Sequence, residues 1–222
     1  SSPPIAAAML QEIPEVEEAT RFGWWRAQPM RYENKTFIEK KLMVADSNFF
    51  QFFSFHLLSG EPDNVLKGTN KVVLTKTTAE RYFGSENAVG KILLRGEERV
   101  ATEVTGVVQD PPANSHIQFD MILSSPSWPI MQIDAWSNTF LYTYIKTGAT
   151  SEVKKKLDLI TERNLGPELQ RIMGVSLEQF KSNGNRFGFF VQPMLDIHLK
   201  SDLSSEITPP GNIQYIYVFG AV

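Results

Sequence analysis

The spacing of apolar positions along the chain changes period several times, and each change marks an element. Ile5, Met9 and Leu10 fall at helical spacing behind Pro3-Pro4, where a missing N–H costs nothing, and Pro14 closes the run, so a helix over residues 4–12 is predicted. Residues 19–32 show period-two features with Phe22, Trp24, Trp25 and Tyr32, and read as one strand. Glu33-Asn34-Lys35 turns the chain into a second strand over residues 36–44. Phe49, Phe50, Phe53 and Leu57 then give a broad helical face, with Asp46 or Ser47 as its cap and Gly60 as its stop. After a strand over residues 71–75, Thr77 and Glu80 form a capping-box pattern for the next helix. Its inward residues are Ala79, Tyr82 and Phe83, and Gly84 takes the left-handed closing position.

A hairpin follows, with strands over residues 91–95 and 100–108 around Gly96-Glu97-Glu98. Val100, Thr102, Val104, Gly106 and Val108 share one face, as in a sheet with a single buried side. Residues 117–124 and 140–146 read as further strands, separated by a loop rich in Ser, Pro and Trp. Thr150 or Ser151 caps a helix with a buried stripe of Val153, Leu157 and Ile160, and Glu152 pairs with Lys156 at i,i+4. A further short helix is placed within residues 166–179, a strand over 187–191 and a strand end at 196–199. Residues 213–222, Ile-Gln-Tyr-Ile-Tyr-Val-Phe-Gly-Ala-Val, fit either a last strand of the domain or the first turns of a membrane helix. As a helix they would reach about 15 Å, half of a bilayer core, and Tyr215 and Tyr217 suit its interface.

Hydrophobic residues make up 42% of the 222 positions and aromatic residues 11%, ample for the core of one large domain or two small ones. The net charge of −3 gives no clustered Lys and Arg with which to displace counterions, so nucleic acid is not an expected partner. No cysteine is present, which removes disulfides, thiolate metal sites and cysteine nucleophiles. No basic, apolar-cored leader opens the sequence and no run of about 20 apolar residues crosses a membrane, so the chain reads as soluble by itself.

The search for chemistry returns little. His56, His116 and His198 are too far apart for a local metal motif, and Gly-x-Ser-x-Gly is absent. Gly84 to Lys91 imitates part of a phosphate-binding loop, but Lys91 is followed by Ile92 and a strand. No catalytic, cofactor-binding or metal-binding residue is assigned, and no enzyme activity is expected. The one hydrolytic candidate is His116 with Asp110, in a loop that also holds Asn114 and Ser115. Trp24, Trp25, Trp128 and Trp136 would serve a stand-alone periplasmic ligand-binding or sensor domain, the alternative reading. Trp128 and Trp136, in a proline-containing loop, are the candidate partner contacts.

Five short pieces in order carry a family resemblance: Asp46-Ser47-Asn48-Phe49-Phe50; Leu58-Ser59-Gly60; Val72-Val73-Leu74-Thr75 with Ala79 to Phe83-Gly84; Val89-Gly90-Lys91; and Gly106-Val107-Val108. They resemble the MacB-like periplasmic core domain of FtsX-like ABC-transporter permeases, and Asp110-Pro111-Pro112-Ala113-Asn114-Ser115-His116 resembles Bacteroides-type members. The resemblance implies an α+β fold of two α/β subdomains with mixed sheets, the second inserted in the first. The main, porter-like subdomain would hold residues 1–119 and 188–212, the inserted, sabre-like one residues 120–187, and residues 213–222 would begin a truncated membrane helix. It also implies a non-catalytic domain on the periplasmic side of the inner membrane, coupling membrane-helix motion to export or extraction of a substrate. Its partners would be the membrane through flanking helices, a cytoplasmic ATPase, a second permease copy, and a periplasmic or outer-membrane protein.

Overall fold

The computed structural model describes residues 1–182, 188–197 and 207. These hold α1 (Ile5–Glu12), β1 (Glu18–Trp24), β2 (Gln28–Tyr32), β3 (Lys35–Glu39), β4 (Leu42–Ala45), α2 (Phe49–Phe53), β5 (Leu57–Ser59), β6 (Lys71–Thr75) and α3 (Lys76–Phe83). There follow β7 (Ile92–Arg95), β8 (Val100–Val108), β9 (Met121–Ser124), β10 (Tyr142–Lys146), α4 (Thr150–Met173) and α5 (Leu177–Ser182). The strands form one mixed sheet in the order β10-β1-β4-β9-β6-β8-β7-β2-β3, with β5 added beside the end of β8. The β4–β9 and β6–β8 ladders are parallel and the others antiparallel. This is the expected α+β class with a mixed sheet.

Strands β4, β9 and β6 are near-continuous apolar runs because both of their faces are covered. Leu42, Val44, Val72, Leu74, Met121 and Leu123 enter one cluster with Tyr82 and Phe83 of α3. Met43, Ala45, Val73 and Ile122 enter the other, with Phe49 and Phe50 of α2 and Phe22 of β1. The strand order also forces the sheet to roll. β1 is second and β2 eighth, about 29 Å apart across a flat sheet at ~4.8 Å per strand, yet residues 25–27 alone join them and span about 14 Å. Residues 40–41 make the same demand between β3 and β4. The roll therefore brings Met30 of β2 into the cluster of Leu42 and Val44.

Helix α3 is pinned to the β3 edge by a buried carboxylate. Glu39 is 1% exposed and accepts from Arg81 Nη2 at 2.6 and 2.7 Å and from the Tyr82 hydroxyl at 2.6 Å. Burial first, and then the neighbouring Glu39, push the Tyr82 phenol well above its ordinary range.

Several expectations are corrected by pairing that a local period cannot show. The single strand over 19–32 is two strands at opposite ends of the order, and that over 36–44 is likewise two. In β8 the face does not run from Val104 to Val108. Val72 faces Val104 and Val73 faces Gly106, a bulge at Thr105 that sends Val107 to the cluster of Val104 and Val108 to the opposite one. Gly106 is required there, since a Cβ would lie 2.9 Å from Val65 Cγ1 and 3.0 Å from the Ser59 carbonyl oxygen.

Helix α2 stops at Phe53, so Leu57 belongs to a strand, and α3 is capped by the Thr75 side chain accepting from Thr78 N, not by Thr77. Helix α4 runs unbroken through Gly166 and Pro167 to Met173. Pro167 forfeits its own N–H bond, while buried Leu165 and Leu169 hold the helix on either side. Lys156 pairs with Glu15, and Glu152 pairs with Lys155.

Strands on both sides of residue 120 share the one sheet. β9 (121–124) is hydrogen-bonded to β4 and β6 in the middle of the sheet and β10 (142–146) to β1 at its edge. Residues 188–191 form no strand and residues 194–196 form a 3-10 turn. His198, Leu199 and residues 213–222, including the suggested membrane-helix start, lie outside the described residues. Among the described residues, no helix is long and apolar enough to cross a membrane.

Candidate functional site

Two loops meet at one end of the sheet and frame an open cleft of about 510 Å³. The first leaves α2 through Ser54, whose φ of 52° turns the chain sharply, and passes Phe55 and His56 into β5. The second runs from the end of β8 through Asp110-Pro111-Pro112 to Ile117. Gln109 N donates to the His56 carbonyl at 2.9 Å and ties the loops together. Gln118 Nε2 donates to the carbonyls of Pro112 (2.7 Å) and Ser115 (2.9 Å), which fixes the second loop from within.

Asp110, Asn114, Ser115 and His116, grouped from sequence by their shared loop, all line this cleft. His56 joins them from a position 60 residues before His116, which sequence spacing did not foretell. Three of these side chains make hydrogen bonds in different directions. His116 Nε2 lies 2.9 Å from the Tyr144 hydroxyl, Ser115 Oγ donates to the Ile117 carbonyl at 3.1 Å, and the Asp110 carboxylate faces Thr77 N at 3.4 Å. Among the described residues no group of three or more His, Asp or Glu is placed to hold a metal.

A second constellation joins the N-terminal segment to the rest. Arg21 on β1 makes a two-point contact with Asp46, Nε to Oδ2 at 2.9 Å and Nη2 to Oδ1 at 3.0 Å. Its Nη1 donates to the carbonyls of Pro3 and, at 3.2 Å, of Met131. One guanidinium thus binds the start of the chain, the end of β4 and the turn after β9. Asp46, a candidate helix cap by sequence, turns its carboxylate to Arg21 instead, and nothing in the local pattern around Arg21 announces the pair.

Behind Pro3, α1 packs through Ile5, Ala8 and Met9, with Ile13, onto Val153, Leu157 and Ile160 of α4. Ion pairs Glu12–Arg163 (2.5 Å) and Glu15–Lys156 (2.6 Å) edge that seam.

The two tryptophans expected at a partner surface are largely withdrawn from it. Trp136 is 8% exposed in the α1–α4 cluster, and Glu168 of α4 accepts from its N–H at 2.7 Å. Trp128 is half-buried, stacked on Trp25 at 5.3 Å with Phe140 edge-on at 5.2 Å. Arg95 covers the Trp25 ring at 4.7 Å. The loop is folded back on the sheet by its own aromatic rings. Lys91, at the imitation phosphate loop, is occupied by Glu86 (2.5 Å) and the Tyr32 hydroxyl (3.2 Å), which raise its pKa.

The sequence profile of the MacB-like periplasmic core domain matches residues 1–160. The chain belongs to that family. Among solved structures, this MacB-like periplasmic core domain is similar to a domain of a protein described as a permease from Porphyromonas gingivalis. The TM-score is 0.65 and identity 28%, over 73% of this chain and 77% of that one. The periplasmic region of MacB from Actinobacillus actinomycetemcomitans superposes with TM-score 0.50 and 20% identity over 83% of each chain. The extracellular domain of the ABC-type transporter YknZ from Gram-positive bacteria gives 0.52 and 17%, over 69% of this chain and 79% of that one. At those identities the last two show the fold alone. No curated protein matches the chain. The family consists of non-catalytic extracytoplasmic domains of ABC-transporter permeases, which work with an ATPase.

Proposed function

We propose that this MacB-like periplasmic core domain couples motion of flanking membrane helices to export or extraction of a substrate outside the inner membrane. The observation that carries the reading is the fastening of the N-terminal segment at two places, to the sheet through Arg21 and to α4 through the α1 seam. A displacement entering at Pro3 would reach both bodies without an intervening flexible link. In this reading the permease is a homodimer in the inner membrane with the domain on the periplasmic side, the ATPase is cytoplasmic, and residues 213–222 begin the next membrane helix. The second subdomain then starts with α4, after β10 closes the sheet.

The test uses the full-length permease with its ATPase, carrying Arg21→Met. Export is expected to fall about tenfold, a coupling free energy on the order of 1–2 kcal/mol, while ATP hydrolysis continues and the domain stays folded by circular dichroism. Export at the wild-type rate would overturn the proposal.

A further inference from the structure

The geometry points to the cleft between the α2–β5 turn and the β8–β9 loop as a binding site for a neutral saccharide of one or two rings. Its volume of about 510 Å³ lies within the range of small-molecule sites. The exposed side chains of His56, Gln109 and Asn114 line the cleft and make no hydrogen bond to another described residue, so a ligand would compete only with water for them. An imidazole or a carboxamide each offers a donor and an acceptor, which matches hydroxyl groups that give and take a proton at once. Asp110 adds a carboxylate whose contacts, 3.4 Å from Thr77 N to each oxygen, are long enough to be exchanged for a pair of vicinal hydroxyls.

The apolar side of the cleft suits the C–H face of a sugar ring. Phe53 and Phe55 are half-buried, and neighbouring rings hold them from within. Tyr144 stands edge-on to Phe53 at 5.1 Å, and Phe49 lies parallel to Phe55 at 5.6 Å. The polar side is equally set, because Pro111-Pro112 and the two Gln118 bonds fix the loop and Tyr144 orients His116. Binding therefore orders chiefly the side chains of His56, Gln109 and Asn114, on loops that are already set. Charge narrows the class further, since the described residues of the lining include Asp110 and neither lysine nor arginine, a poor environment for phosphate or carboxylate ligands.

The inference does not depend on transport coupling, and the 222-residue chain by itself tests it. Cellobiose, maltose and N,N′-diacetylchitobiose are titrated while amide chemical shifts are followed. At least one should give saturable shifts confined to residues 53–56 and 109–117, with Kd on the order of 1 mM, as befits an open, wet site. Asn114→Ala and Asp110→Ala should each weaken it about tenfold, the factor of one lost hydrogen bond, with other amides unmoved. Silence with all three sugars, or shifts that neither variant changes, would overturn the proposal. Saturation of the same residues by inorganic phosphate or a short peptide in place of sugars would overturn the ligand class.

Discussion

Strands β4, β9 and β6 bury both faces and contain one charged residue, Lys71, whereas α1 and α4 meet along a single apolar stripe edged by ion pairs. In the sheet, almost any side chain removed is a loss to one of two clusters that share the same strands. In the helical layer, the two helices share a single cluster and the edges of their seam are partly exposed charges of small worth. The outer side and the end of α4 leave Leu159, Ile172 and Met173 exposed, at 68%, 60% and 52%. The sheet should therefore set the global stability of the domain, and the α1–α4 layer should open below it.

The strongest challenge to the comparison is Phe22→Ala. The ring lies 5.4–6.0 Å from those of Trp24, Phe49, Phe53, Tyr142 and Tyr144, so its loss should cost about 3–5 kcal/mol in urea unfolding. A cost below about 1.5 kcal/mol would mean that this face is not one continuous core. Leu157→Ala should cost about 2–3 kcal/mol, with hydrogen-exchange protection lost in α1 and α4 while β4, β6 and β9 keep theirs. Equal loss in both regions would make them one cooperative unit.

The Tyr82–Glu39 contact gives the sheet a pH dependence. An unfolded tyrosine releases its proton near pH 10, while burial keeps the folded Tyr82 protonated, so above that pH the folded state binds more protons and stability falls as pH rises. Tyr82→Phe should remove about 1.4 kcal/mol per pH unit of that slope, seen by comparing urea midpoints between about pH 9 and pH 11. Identical slopes in the two proteins would refute the assignment. The smallest effect is expected for Glu12→Gln, at most about 0.5 kcal/mol, because the pair with Arg163 is largely solvated. A larger effect would show that the ion pairs hold the layer, and not the stripe.

How far this was readable from sequence depends on the range of the interaction. Helix α1, strand β6, the β7–β8 hairpin and the body of α3 are set by neighbours a few residues away, and their periods show it. Trp25 and Lys40-Lys41 fall in strand-like runs that tertiary pairing cuts, because the sheet must be crossed there. The bulge at Thr105 flips a face that alternation would have continued, and the only local sign is Gly106. A separate short helix within residues 166–179 is what the local pattern suggests, yet burial of Leu165 and Leu169 carries α4 through Pro167 against a cost of about 3 kcal/mol. At the cleft, Asp110, Asn114, Ser115 and His116 are close in sequence and could be grouped. His56 and the Arg21–Asp46 pair arrive through folding across 60 and 25 residues, and the residue types alone did not announce them.

The position of β9 also sets a time order for folding. The slot between residues 42–45 and 71–75 stays empty until residue 124 has been made, and Phe22 waits for Tyr142 beyond that. At about 5–20 residues per second, the growing chain carries two facing, unpaired apolar strand edges for several seconds. Such edges pair readily with other chains. A fragment ending at residue 119 would keep both edges permanently and should aggregate, while the yield of the complete domain should respond to synthesis rate and chaperone supply more than to its final stability.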